Sequence, residues 1–302
     1  MIADRPLVGI FLMVVFCAIA PLGDAIAKIL GDTIPLMQLL LVRFAAQFLL
    51  LLPVIAATGR SLAMTPRILR LTALRTVLHV AGIGAMFTAL RYLPLADAVA
   101  IAFVMPFIML LLGRLVLGEE VGPRRLIACT VGFAGTLLVV QPSFANVGWP
   151  AFLPLVVALT FALYMMVSRQ IAKDADPLTL QAVGGMMATP FLALALWLGA
   201  GSDMAMLTLK APDAREVALL AAIGFLGTFA HLVMTWSLRF APSATLAPIQ
   251  YLEIPFATFI GWLVFRDLPD GVAALGIAIT MGSGLYIVYR ERRHARPAAQ
   301  EA

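Results

Sequence analysis

The chain has 302 residues, 62% hydrophobic and only 12% charged, with a mean hydropathy of +1.00. No soluble globular domain needs that much apolar surface, so composition excludes a soluble enzyme or binding module and points to a polytopic membrane protein. The net charge of +5 does not argue for nucleic acid, because the basic residues sit in short loops between apolar runs, where they act as topology signals.

Ten apolar runs follow one another, at about 6–27, 35–57, 71–90, 95–117, 125–141, 149–168, 178–199, 217–238, 244–265 and 271–289. Each approaches the roughly 20 residues that cross a ~30 Å hydrocarbon core. The first run follows only Arg5 and Asp4 and precedes further apolar runs, so a membrane helix is expected there rather than a cleaved signal. Its outer end carries Asp24, Lys28 and Asp32, an i,i+4 ladder of which Asp24 lies deepest. The second run holds Arg43, about nine residues in and so ~14 Å deep. His79 follows in the third. The fourth begins at Asp97, a capping candidate, and holds the aromatic residues Phe103 and Phe107. Cys17 and Cys129 fall inside apolar runs and read as small buried hydrophobes. The eighth run contains His231 and Trp236. No carboxylate stands at metal-ligand spacing from either histidine, so neither a metal site nor a cofactor is expected.

The ninth run is the most informative. It carries Gln250, Tyr251 and Glu253 between Pro248 and Pro255. A carboxylate at mid-membrane costs several kcal/mol, on the order of 2.5–3.5, unless it is protonated, paired or hydrated. Proline frees helix carbonyls that need other partners. Polar groups and broken backbone coincide here, so this segment is expected to face a cavity. Glu253 can bind substrate, carry a proton, or serve as the structural partner of Arg43, since both are expected near the midplane. Arg43 can pair with it or bind an anionic or carbonyl group. The histidines can relay protons or simply pack. Phe103, Phe107, Trp236 and Tyr251 can stack on a flat ligand or fill space.

With the N-terminus placed inside, 15 lysines and arginines fall on the inner side and 5 on the outer; Arg75 is counted inside and Arg43 lies within the second run. Both termini are therefore expected in the cytoplasm. The halves also echo each other. ALRYLPLADAVAI from Ala89 resembles SLRFAPSATLAPI from Ser237, and GRLVLGEE from Gly113 resembles GWLVFRDL from Gly261. Five spans per half is an odd number, so the halves must be inverted, an arrangement of secondary transporters with the site at the repeat interface. The predicted fold is all-α: ten transmembrane helices as two five-helix inverted repeats, residues 1–145 and 146–302, the second ending in a short basic tail.

These stretches, together with VRFAAQFLLLLP from Val42, LRTVLHVAG from Leu74 and APIQYLEIPF from Ala247, resemble the EamA-type family of the drug/metabolite transporter superfamily over nearly the whole chain. The resemblance implies a transporter of the cytoplasmic (inner) membrane, embedded in the lipid bilayer. Relatives move amino acids, riboflavin, S-adenosylmethionine, metallophores and drugs, and the ending here is similar to the riboflavin and S-adenosylmethionine subgroups. At Arg266-Asp267 the chain departs from the family's usual Glu. No HExxH, GxSxG or Walker A sequence supports an enzyme or an ATP-driven pump, and nothing suggests a channel. The expectation is alternating access of a small organic metabolite, riboflavin first, at a site between the first four spans and the sixth to ninth. Glu253, Arg43, Gln250, Tyr251, His79, Trp236, Asp24 and Phe103 are the candidate substrate or coupling residues. Protons are the candidate coupling ion. No GxxxG lies inside a span, and a homodimer stays open.

Overall fold

The computed structural model describes residues 5–119, 121–139, 148–202, 204–266 and 271–295. These residues form helices and no strands. In chain order they are α1 (Pro6–Gly31), α2 (Leu36–Ala57), α3 (Pro66–Ala89), α4 (Leu95–Ala102), α5 (Met105–Leu117), α6 (Pro123–Val139), α7 (Leu153–Ile171), α8 (Pro177–Leu198), α9 (Ala214–Phe240), α10 (Ser243–Gln250), α11 (Glu253–Phe265) and α12 (Gly271–Ala295). Seven are long and apolar enough to cross a membrane: α1, α2, α3, α7, α8, α9 and the α10–α11 pair taken together. Shorter apolar helices, among them α5 and the 274–286 stretch of α12, pack beside them.

Local signals set the ends. Thr65 caps α3 by accepting from Ile68 N, with Pro66 at the first helical position, where its missing N–H costs nothing. Asp176 and Pro177 open α8 in the same way. Asp213 and Glu216 form a capping box on α9. The third helix therefore starts five residues before the apolar run at 71–90, because hydropathy overlooks a cap followed by Arg67 and Arg70. This corrects the placement of Arg75. It is no inner loop charge but a mid-helix residue, 1% exposed.

The runs at 95–117 and 244–265 are each two helices. The second break falls at Tyr251–Leu252, between the two prolines. Pro255 has no N–H for the Tyr251 carbonyl four residues back, and that carbonyl takes Ile254 N at 3.2 Å instead. After the break at Phe103–Val104, Pro106 likewise has no N–H for the Ala102 carbonyl four residues back, and Val104 O opens α5 by accepting from Phe107 N (3.1 Å) and Ile108 N (3.3 Å). The two broken units share one register. Their boundaries at 95, 102, 105 and 117 recur 148 residues later at 243, 250, 253 and 265. Both end in a left-handed residue, Gly118 (φ 65°) and Arg266 (φ 63°).

The helices pack in cross-half pairs: α1 against α9, α3 against α7, α2 against α8, and α6 against α12. α1 also lies along α10 and α11, and α7 along α4 and α5. Large apolar side chains such as Phe11, Leu115 and Trp197 are exposed on the outer faces, as expected of a surface solvated by lipid rather than water.

Candidate functional site

A cavity with an empty volume of about 800 Å³, mouth included, lies between the halves. Its walls come from α1, α2, α3, α4, α5, α7, α9 and α11. Most of the lining is apolar and aromatic, including Phe16, Phe87, Phe103 and Phe161. Four polar side chains enter it: Asp24, Arg43, His231 and Glu253. The two breaks place equivalent residues in the wall, since the first residue of each second segment, Met105 and Glu253, is a lining residue. A discontinuous helix thus presents a carboxylate at its break, the arrangement by which transporters expose polar groups inside a bilayer.

Arg43 and Glu253 form no ion pair, which removes the expected structural pairing. Asp24 shares the cavity wall with both. Arg43 is held by neutral groups instead. It donates to Gln47 Oε1 (3.2 Å), Gly227 O (3.0 Å) and His231 Nδ1 (3.0 Å). Gly227 makes this possible: a Cβ there would stand 2.3 Å from Arg43 Nε. Arginine only donates, so with the Arg43 bond formed His231 Nδ1 accepts and the proton sits on Nε2; in the other tautomer Nδ1 donates to Gly227 O, also 3.0 Å away. That Nε2 has no hydrogen-bond partner among the described residues.

Behind this wall runs a buried polar chain. Gln47 donates to Gln181 O (2.7 Å), and Gln181 donates to Thr235 Oγ1 (3.3 Å). Thr235 also accepts from Arg75 (3.0 Å), which further donates to Tyr164 (2.6 Å) and Ser168 (2.7 Å). Two arginines, each 1% exposed, are thereby joined through neutral side chains, with no carboxylate ion-paired to either among the described residues. Sequence reading missed Arg75, Tyr164, Gln47 and Gln181; the signal available was an arginine ten residues after the Thr65-Pro66 cap.

The other expected residues are distributed as follows. His79 lies outside the cavity wall and stacks on His231 with ring centroids 4.2 Å apart. In the 148-residue register it corresponds to Gly227, one turn from His231. Gln250 is fully buried, and its amide nitrogen faces Met165 Sδ at 3.1 Å. Tyr251 stacks on Phe103 with centroids 5.5 Å apart, its ring seated on Gly132, where a Cβ would come within 2.6 Å. Phe107 packs on Phe133. Trp236 is 38% exposed on the outer surface, away from the cavity. Lys28 reaches Leu90 O (3.0 Å) and Leu93 O (2.7 Å). The side chain of Asp97 and the residue Asp267 lie outside the described residues. Cys17 and Cys129 are buried free thiols.

The cavity extends from mid-depth toward the end that holds the N-termini of α4, α7 and α9. The opposite end is tied by polar contacts between the halves. The Glu119 carboxylate pairs with Arg169 (3.3 Å) and accepts from Ser243 Oγ (2.7 Å), Ser243 N (3.3 Å) and Ala244 N (3.1 Å). Ser237 Oγ donates to Gly9 O across the halves at 2.7 Å, and within the second half Arg169 donates to Leu238 O at 2.7 Å.

The EamA-like transporter family matches this chain twice, over residues 7–141 and again over 148–289. A riboflavin transporter of Brucella anthropi is 28% identical over 256 residues, covering 85% of this chain and 89% of the relative. One of Rhizobium johnstonii is 31% identical over 225 residues, 74% of this chain and 72% of the relative. An S-adenosylmethionine uptake transporter of Rickettsia prowazekii is 22% identical over 276 residues, 90% and 89% of the two chains. A solved crystal structure, 18% identical, shares the fold with a TM-score of 0.73 over 95% of this chain and 98% of its own.

Proposed function

Because the chain belongs to the EamA-like transporter family, we propose that it carries a small organic metabolite across the inner membrane by alternating access, with the cavity between its halves as the transport site. It is a multi-pass membrane transporter and not an enzyme. The observation that carries the finer reading is the cavity itself: an aromatic chamber entered by Asp24 and Glu253 on one hand and Arg43 and His231 on the other.

Ten spans in two inverted halves, 1–145 and 146–302, are supported by three facts. The helix breaks recur at a spacing of 148 residues. The family matches once in each half. The main cross-half contacts have counterparts: α1 on α9 with α7 on α3, and α1 on α10 and α11 with α7 on α4 and α5. Even the polar ties are paired, Arg169 on Leu238 O and Lys28 on Leu90 O, the carbonyls again 148 residues apart. With Arg75 withdrawn from the loop charges the basic bias still favours cytoplasmic termini.

Riboflavin is the leading substrate. Flat aromatic walls suit a fused ring, and a polar end with both donors and acceptors suits a ring edge that carries carbonyls and an N–H. The names of the 28% and 31% identical relatives point the same way. S-adenosylmethionine, and then amino-acid-like metabolites, are the alternatives, the former supported by the 22% identical relative. Glu253 is the coupling group on this reading, taking up and releasing a proton as the cavity changes sides. The test is flux of labelled riboflavin, S-adenosylmethionine and amino acids in proteoliposomes with imposed pH and voltage gradients. Riboflavin flux that follows the pH gradient, and a loss of that dependence in Glu253→Gln, are expected. Flux of riboflavin unchanged by the gradient and by Glu253→Ala would remove the coupling role; flux of another solute alone would reassign the substrate.

A further inference from the structure

At the end of the molecule tied by Glu119, away from the transport cavity, a second and strongly polar hollow opens. Its empty volume is about 920 Å³, mouth included, and it is lined by Arg114, Glu119, Val121, Gly122, Arg125 and Arg290. Three helix ends meet there: the last turn of α5 brings Arg114, the first turn of α6 brings Arg125, and α12 brings Arg290 near its C-terminus. The Glu119 carboxylate is already committed to Arg169 and to the N-terminus of α10. Among the described residues nothing hydrogen-bonds or ion-pairs Arg114 or Arg290, and the Nε of Arg290 is buried without a partner. A donor withdrawn from water and left unbonded costs about 1–3 kcal/mol, more when charged, so the hollow is suited to an anionic oxygen ligand.

The surface beside it names the kind of ligand. On the same three helices, Leu111, Leu115, Ile127, Leu285, Tyr286 and Tyr289 are exposed. An arginine-lined hollow at a membrane face, continuous with an apolar wall, fits a molecule with a phosphate at one end and hydrocarbon at the other. Basic hollows between membrane helices hold phospholipid headgroups by this logic, and the planar guanidinium fork matches phosphate oxygens. We propose that this hollow binds the headgroup of an anionic phospholipid, with Arg114 and Arg290 as its phosphate ligands and the acyl chains along α5, α6 and α12. The site is separate from the transport cavity, so its fate does not depend on the substrate.

The test uses the full chain in detergent, titrated with phosphatidylglycerol, phosphatidylcholine or inorganic phosphate. Retained lipid is read by native mass spectrometry and stability by thermal unfolding. Phosphatidylglycerol is expected to bind and raise the unfolding temperature. The double variant Arg114→Gln/Arg290→Gln should bind it about thirty-fold more weakly, the weight of two arginines toward an anionic lipid. Arg124→Gln, an exposed neighbour outside the hollow, should bind as the parent does, and Arg114→Lys/Arg290→Lys should recover most of the loss. Phosphatidylglycerol affinity unchanged in the double variant would overturn the site. So would an equal loss in Arg124→Gln, which would mean diffuse surface attraction. Stabilisation by inorganic phosphate equal to that by lipid would overturn the lipid assignment.

Discussion

Arg43 shows how one residue can be tolerated at mid-membrane depth. A guanidinium keeps its charge, so it needs acceptors. It finds them in a side-chain amide, a backbone carbonyl and an imidazole nitrogen rather than in a carboxylate. Two of these three acceptors lie on α9, within one turn of Gly227. Gly227→Ala would drive a methyl group into the guanidinium, and overpacking of that kind costs about 1–3 kcal/mol. The expected result is a lower unfolding temperature together with weakened substrate binding. Gly282→Ala is the contrast. A Cβ there meets nothing within 4 Å, and helix propensity alone favours alanine by up to about 1 kcal/mol, so stability should hold or rise. Equal losses in the two variants, by thermal unfolding, would contradict this account of Gly227. The sequence announced Arg43 and Glu253, because a charge inside an apolar run is visible without any structure. It could not announce that Arg43 ignores Glu253, since Gln47, Gly227 and His231 are ordinary residues whose convergence depends on how α2 and α9 cross.

Among the elements, α10 has little local support. It has eight residues and Pro242 at its N-cap, with no side-chain cap of its own. Glu119, from the other half of the chain, accepts from the Ser243 and Ala244 amides and so caps the helix from outside. The same carboxylate ties Arg169 on α7. Glu119→Gln should weaken this tie without removing its bulk. Cap losses run to about 0.5–2 kcal/mol, so amide exchange over 243–246 should quicken by roughly 3- to 30-fold while α8 amides stay protected. Hydrogen exchange read by mass spectrometry checks it; unchanged exchange in 243–246 would contradict the capping role. The breaks that create α10 and α11 were legible in Pro248, Pro255 and the neighbouring polar residues. The cap was not, because Glu119 and Ser243 stand 124 residues apart and Glu119 reads locally as a loop charge.

For the whole molecule, the repeat explains why polar ties occur at both ends. One end is held by Glu119 and Arg169, and the other by Lys28 on the carbonyls of Leu90 and Leu93. Both sets are formed in this structure and the Lys28 contacts lie within the first half, so on the proposed mechanism it is the Glu119 tie between the halves that breaks as the cavity end closes. Charge bias and the sequence echo made the two halves legible as a pattern. The size and lining of the hollow between them were not, because side chains from eight helices enclose it. Reciprocal movement of the two ends is the central claim, and electron spin–spin distances measured at both ends of one preparation test it most directly. Spin labels at Leu115→Cys and Lys173→Cys span the Glu119 end, and labels at Tyr92→Cys and Arg215→Cys span the other. Adding riboflavin, or imposing Glu119→Gln, should lengthen distances at the first end while shortening them at the second. Distances that change in the same direction at both ends, or that stay fixed while solute still crosses, would contradict the account.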